Sequence, residues 1–157
     1  MPHLSPKSIP ADHLCWHIAC DGSAQPNPGK MGLGAVLQAP DGRVFRLSCT
    51  APGHGCNNEA EIRALIAALQ LARSEHAQQL RIQSDSSILI EQLSQATSAS
   101  LARLDALIEE ARALSAEFES IQWVWVPRHR NAEADTLARA ALGLKPKVAT
   151  AARRLRR

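Results

Sequence analysis

The spacing of apolar residues changes at Asn58, and that change constrains the fold more than any other feature. Before it, the chain alternates: Leu14, Trp16 and Ile18 lie two apart, the spacing of one face of a strand. After it, Ile62, Leu65, Ile66 and Leu69 fall at i, i+3, i+4 and i+7, one face of a helix. A chain that opens on strands and then alternates helix with strand builds an α/β fold, a mixed sheet covered by helices.

The finer pattern fills in the order. The first strand runs from Leu14 to Ala19 and stops at Asp21-Gly22, a turn signal, before a loop rich in Pro and Gly through Gly32. A hairpin follows, with arms Gly34–Gln38 and Val44–Cys49 around Pro40-Asp41-Gly42. Ala51–Asn57 reads as a second loop and Gln79–Ser84 as a short strand. Ser86 caps a helix to about Leu93, and Ser94–Ser100 is a polar connector. A helix over Leu101–Phe118 turns Leu104, Leu107, Ile108, Ala111 and Leu114 inward. Ile121–Val126 is the last strand and Pro127–Arg130 a turn. Asn131 caps a final helix with Ala134, Leu137, Ala138 and Ala141 inward. The predicted order is βββ-α-β-α-α-β-α, a five-stranded sheet in one domain over residues 14–142, with a leader over 1–13 and a flexible tail over 143–157.

A chain of 157 residues suffices for one domain without disulfides or a structural metal. Its apolar runs fall short of the ~20 residues that span a bilayer, which excludes a transmembrane helix. Met1–His13 has prolines and no apolar core of a signal peptide, so the expected location is cytoplasmic. Cys15, Cys20, Cys49 and Cys56 show no CxxC spacing and read as free thiols. A zinc site from Cys49, His54 and Cys56 lacks a second ligand pair. Net charge is +3, but six of the 18 basic residues fall in the last fifteen positions, where there is no acid. Twelve remain against 15 acids, so the body carries about −3 and the tail is basic. Such a tail either binds polyanions without reading sequence or simply solubilises the chain.

Four acids sit at element boundaries. Asp21 ends the first strand, Glu61 opens the first helix, Asp85 ends the fourth strand and Asp135 lies early in the last helix. Each also has a plain structural role. Asp21 suits a turn, Glu61 a capping box with Asn58, and Asp85 and Asp135 suit helix N-termini. Their joint spacing is harder to explain that way. Glu61 stacks with Leu65 and leans toward the sheet, and Asp21 and Asp85 can share one level on adjacent strands. Converging carboxylates repel unless a cation lies between them. Mg²⁺, with its preference for octahedral oxygen, is the natural occupant, and paired ions suit phosphoryl chemistry.

The motifs that carry these acids resemble type I ribonuclease H. Asp21-Gly22-Ser23, Asn27-Pro28-Gly29 and Gly32-Leu33-Gly34-Ala35 are similar to the opening of that family. So are Asn57-Asn58-Glu59-Ala60-Glu61, Ser84-Asp85-Ser86, and Trp123-Val124-Trp125-Val126 followed by Asn131 and Asp135–Ala140. The likeness runs from about Cys15 to Leu142. It implies the ribonuclease H fold, two Mg²⁺ ions (with Mn²⁺ as substitute) and hydrolysis of the RNA strand of an RNA–DNA hybrid, leaving 5′-phosphate and 3′-hydroxyl ends. It assigns Asp21, Glu61, Asp85 and Asp135 as catalytic metal ligands. It places Gly22, Ser23, Asn27, Cys56, Asn57, Asn58 and Ser86 on the substrate, and it implies a monomer. His129 falls where the family often has a loop histidine that helps proton transfer or product release, although compact members place Arg there.

The chain departs from the best-known bacterial pattern in two places. Between Leu93 and Ile121 it has only Arg103 and Arg112, so the basic, Trp-containing substrate handle is missing. Cys56 stands where that pattern has a phosphate-binding Thr, and a thiol is a poor donor, which shifts the expectation to Asn57 and backbone N–H groups. The chain therefore looks like a compact, handle-less member. Trp16, Trp123 and Trp125 lie on strands and are expected to pack in the core. A catalytically weak hybrid- or RNA-binding module of the same fold is the alternative. A resolvase, transposase or exonuclease would share the acid-and-metal logic with different motifs.

Overall fold

The computed structural model describes residues 14–94 and 104–147. The leader, most of the connector before the third helix, the start of that helix, and residues 148–157 of the tail lie outside the described residues. Five strands form one sheet in the order β3-β2-β1-β4-β5. They are β1 (Cys15–Gln25), β2 (Gly29–Gln38), β3 (Val44–Gly55), β4 (Gln79–Ser84) and β5 (Ser120–Trp125). β1, β2 and β3 are antiparallel neighbours, while β4 is parallel to both β1 and β5. The mixed sheet is thus the one expected from hairpins followed by crossovers. No helix among the described residues is long and apolar enough to cross a membrane.

The helices are α1 (Asn57–Ser74), α2 (Ser87–Ser94), α3 (Asp105–Ser115) and α4 (Ala132–Ala141). α1 lies on one face of the sheet with α2 and α3, and α4 covers the other face over β1, β2 and β3. The main core fills the α1 side. Trp16, Ile18 and Cys20 of β1 and Leu80 and Ile82 of β4 point there, against Leu65 and Leu69 of α1. Leu104, Ile108, Ala111 and Leu114 close it from α3, as their spacing predicts.

Several boundaries differ from the sequence reading; β2 starts at Gly29 rather than Gly34, inside the expected loop, and α3 ends at Ser115 rather than Phe118. β1 does not stop before Asp21-Gly22. It continues to Gln25, and Asp21 pairs with Gly34 inside the ladder. A long β2 partner satisfies the backbone there, which overrides a local turn signal. Ala51–Gly55 is likewise strand, because β2 extends far enough to pair with it. As β3 then runs almost directly into α1, the helix cap is Cys56 rather than Asn58, its thiol accepting from the Glu59 N–H at 3.5 Å. Trp16 is buried and stacks on Phe45, and Trp123 packs against the core, but Trp125 is 53% exposed, contrary to the core expectation. It sits at the end of an edge strand, where no helix covers it.

Glycine decides how closely the layers approach. A Cβ on Gly22 would lie 2.1 Å from the Ala60 carbonyl carbon and 2.4 Å from the Glu61 nitrogen. A Cβ on Gly34 would lie 2.3 Å from the Ala134 oxygen. Each helix therefore rests backbone to backbone on the strand that carries Asp21 or on its neighbour. Gly22→Ala is expected to force α1 off β1 and to cost at least the ~1–3 kcal/mol of core overpacking. Urea unfolding measures this, and a midpoint unchanged from the parent would refute the close-contact account.

Candidate active site

The four acids meet beside the carboxyl end of β4, where β1 runs on past its pairing with that strand. Asp21 projects from β1 toward α4, on the face opposite Gly22 and Cys20. Asp85 follows the last residue of β4, the parallel neighbour of β1. This is the end of a parallel pair where open α/β sheets place their ligands. Glu61 comes from the start of α1 and Asp135 from the first turn of α4. Carboxylate oxygens of Asp21, Glu61 and Asp85 all lie within 4.8 Å of one another. Asp135 stands outside that trio but close enough to Asp21 for its charge to raise the Asp21 carboxyl.

Each carboxylate is held by the fold. The Asn57 side-chain carbonyl accepts from the Ala24 N–H at 2.8 Å, and the Asn57 N–H donates to Asn27 Oδ1 at 3.1 Å. These bonds and the bare Gly22 backbone fix the start of α1, and so Glu61, beside Asp21. The Ser86 side chain lies near enough to Glu61 to draw its carboxyl down, and its hydroxyl accepts from the Leu89 N–H at 3.2 Å, capping α2. The exposed Trp125 indole donates to the Asp85 carbonyl at 3.2 Å, and the Val126 N–H donates to the Ser84 carbonyl at 3.0 Å. Both sides of Asp85 are thereby tied to β5. Asn131, only 1% exposed, donates to the Cys20 carbonyl at 3.0 Å and lies near enough to Asp85 to draw its carboxyl down. It occupies the cap position of α4, as expected, but its side chain makes no cap bond and spans to β1 instead.

The electrostatics are those of buried carboxylates that repel one another. Burial, then the charges of Asp85, Asp135 and Glu61, push the Asp21 carboxyl up to about 8. Burial raises Glu61 to about 7, against the pull of Ser86 and Arg128. Asp85 is raised by burial, with Arg128, Asn131 and Lys147 pulling it back. The donor set is all hard carboxylate oxygen, which fits Mg²⁺ or Mn²⁺ and does not suit a soft metal. Behind Asp21, burial lifts the Cys20 thiol far above its usual range, so it is inert.

The acids line a cleft of about 350 Å³ together with Gly22, Ser23, Gln25, Asn57 and Asn58. Of the expected substrate residues, then, four line the cleft. Asn27, Cys56 and Ser86 do not. Asn27 Oδ1 accepts from the Asn57 N–H, Cys56 caps α1 and Ser86 caps α2. His129 lies exposed in a short 3-10 turn, Arg128–Arg130, and does not line the cleft, whereas Arg128 does. Arg139 and Lys147 complete a cationic rim that the sequence reading missed. The basic run around His129 signalled Arg128, and the basic stretch after Gly143 signalled Lys147. A second cleft of about 310 Å³, beside α4 over His17, Arg81 and Gln83, holds one carboxylate, Glu133, which pairs with Arg46 at 2.8 Å. It offers no comparable chemistry.

A family model described as reverse transcriptase-like matches residues 19–141, nearly the whole described fold. The bifunctional protein Rv2228c of Mycobacterium tuberculosis is 38% identical over 135 residues, covering 85% of this chain. The chain spans only 37% of that relative's length. The crystal structure of RNase H1 from Halobacterium salinarum superposes with a TM-score of 0.76 at 34% identity, covering 82% of this chain and 98% of that one. LC11-RNase H1 in complex with an RNA/DNA hybrid superposes with a TM-score of 0.74 at 26% identity, covering 82% and 96%. The chain belongs to the ribonuclease H family.

The raised carboxyls make a stability prediction for the metal-free protein. Folded Asp21 keeps its proton up to about 8, whereas an unfolded Asp releases it near its ordinary ~3.9. The folded state therefore binds more protons between those values, and stability falls as pH rises through that window. Asp21→Asn is expected to raise the melting temperature in EDTA at pH 8, where each kcal/mol recovered is worth roughly 2–4 °C. Mg²⁺ should raise it in the parent and much less in the variant. A variant that melts lower than the parent in EDTA would show that the acids do not repel as described.

Proposed function

We propose that this chain hydrolyses the RNA strand of RNA–DNA hybrids, acting as a cytoplasmic monomer with two divalent cations, Mg²⁺ or Mn²⁺. The observation that carries the reading is the meeting of three carboxylates within 4.8 Å of one another, with Asp135 beside Asp21, on the sheet of a ribonuclease H fold. The hybrid bound to LC11-RNase H1 supports the choice of substrate.

Asp21, Glu61, Asp85 and Asp135 would hold the cations, which when bound would lower the pKa of the attacking water and neutralise charge on the phosphodiester and its leaving oxygen. Ser86 keeps the Glu61 carboxylate aimed into the cleft, and Asn131 and the Trp125 indole do the same for Asp85. Arg128, facing both Glu61 and Asp85, is placed to balance the charge of a phosphate group. Gly22 and Ser23 offer a close backbone surface. Asn57, Asn58 and Glu61 lie where a ribose 2′-hydroxyl would be read, the group that distinguishes RNA from DNA. His129 acts, if the loop moves toward the cleft, in proton transfer or product release. The products carry 5′-phosphate and 3′-hydroxyl ends.

A labelled RNA strand presented in a hybrid, alone, and in an RNA duplex tests the substrate. Cleavage of the hybrid with Mg²⁺ or Mn²⁺ and none in EDTA is expected. Hybrid binding without cleavage under either metal would instead make the chain a binding module. Asp85→Asn is expected to lose more activity than the roughly 10–100-fold that follows loss of a ligand's supporting partner, with an unchanged circular dichroism spectrum. Parental rates in that variant would remove Asp85 from the site.

A further inference from the structure

The cleft has a wall that belongs to the segment assigned by sequence to a flexible basic tail. α4 ends at Ala141, and the chain reverses through Leu142, Gly143 and Leu144. The Leu144 N–H donates to the Arg139 carbonyl at 2.9 Å and the Gly143 N–H to the Ala140 carbonyl at 3.0 Å. These are the paired bonds of a Schellman ending, and Gly143 takes the φ of +72° that it requires. Arg139 then reaches forward, its Nε donating to the Lys145 carbonyl at 3.0 Å. The returning chain is clamped to the last turn of α4, and Lys147 lines the same cleft as the four acids. Lys145, two residues earlier and equally charged, does not line it.

We propose that Lys147 is a phosphate-contacting residue, delivered to the acidic cleft by the Gly143 turn, that grips the nucleic-acid backbone beside the phosphate to be cut. The inference rests on the hydrolase reading above. Lys147 is exposed, so pairing it with a carboxylate contributes little to stability, and its place needs another reason. Its ammonium is near enough to Asp85 to draw that carboxyl down, which sets it within the cleft. A compact cation on a flexible stem suits a phosphate oxygen, which needs no fixed donor geometry. The chain also lacks basic residues where a substrate handle would stand among the described residues before β5, apart from Arg112. The rim around the acids is therefore where backbone contacts are concentrated.

The test uses the full chain and a labelled hybrid, with Ca²⁺ replacing Mg²⁺ so that binding is read rather than turnover. Affinity is measured by fluorescence anisotropy across a salt series. Each phosphate contact contributes about 0.9 to the slope of log affinity against log salt. Lys147→Gln is expected to lower the slope by about that amount and to weaken binding several-fold. Lys145→Gln should leave the slope as it is. Gly143→Ala keeps every charge but strains the turn, and should lower the slope as Lys147→Gln does. A parental slope in Lys147→Gln overturns the proposal. So does an equal loss in Lys145→Gln, which would mean diffuse attraction only. A parent that binds and cuts hybrid while Lys147→Gln matches it sinks this inference alone. A parent that neither binds nor cuts sinks the hydrolase reading with it.

Discussion

The contact of Gly22 with the Ala60–Glu61 backbone is the constraint on which the site depends. Two carboxylates on separate elements come together only if the elements themselves come together. A side chain on Gly22 would hold α1 away from β1 by its own width, and Glu61 would move with it. The Asn57 carbonyl on the Ala24 N–H fixes the same junction a turn away. On the other face, Gly34 lets α4 settle on β2, so Asp135 reaches Asp21 from that side. The acids are thus brought together by positions that have no side chain.

That arrangement stores repulsion in the folded state. Asp21 is 7% exposed and faces three other acids, a combination that a core would ordinarily avoid. The surrounding framework holds it through groups that need no charge of their own. Ser86 lies near Glu61 and Asn131 near Asp85, and the Trp125 indole binds the Asp85 carbonyl. Arg128 and Lys147 supply positive charge from the rim without entering the carboxylate trio. Carboxylates held in place before a cation binds need little reorganisation when it arrives, which is the usual way a metal hydrolase lowers its barrier.

Much of this was legible along the chain, because periodicity reports burial one element at a time. Ile62, Leu65 and Leu69 marked α1, and Leu104, Ile108 and Leu114 marked α3, since each turns one face to a core. The four acids were legible as a set because each falls in a motif at or near a boundary of the predicted elements, although Asp21 proves to lie within β1. What failed was local. Asp21-Gly22 read as a turn, although β2 was long enough to pair past it. Cys56 read as a weak phosphate donor and is a helix cap. Trp125 read as core and instead steadies the Asp85 carbonyl from an exposed position. Asp21 and Trp125 are decided by partners distant in sequence, whereas Cys56 is decided by the Glu59 N–H three residues on.

The sequence by itself determined the order of elements, the mixed sheet and the identity of the four acids. These follow from residue type and spacing, which are properties of the chain. Only the tertiary structure decided which groups surround those acids. Arg128 rather than His129 faces them, Asn131 spans to β1 instead of capping α4, and Lys147 returns from beyond α4 to close the cleft. The physical reason is distance. Contacts between Asn131 and Cys20, 111 positions apart, arise from how layers stack, and no periodicity encodes which atoms two packed layers bring together.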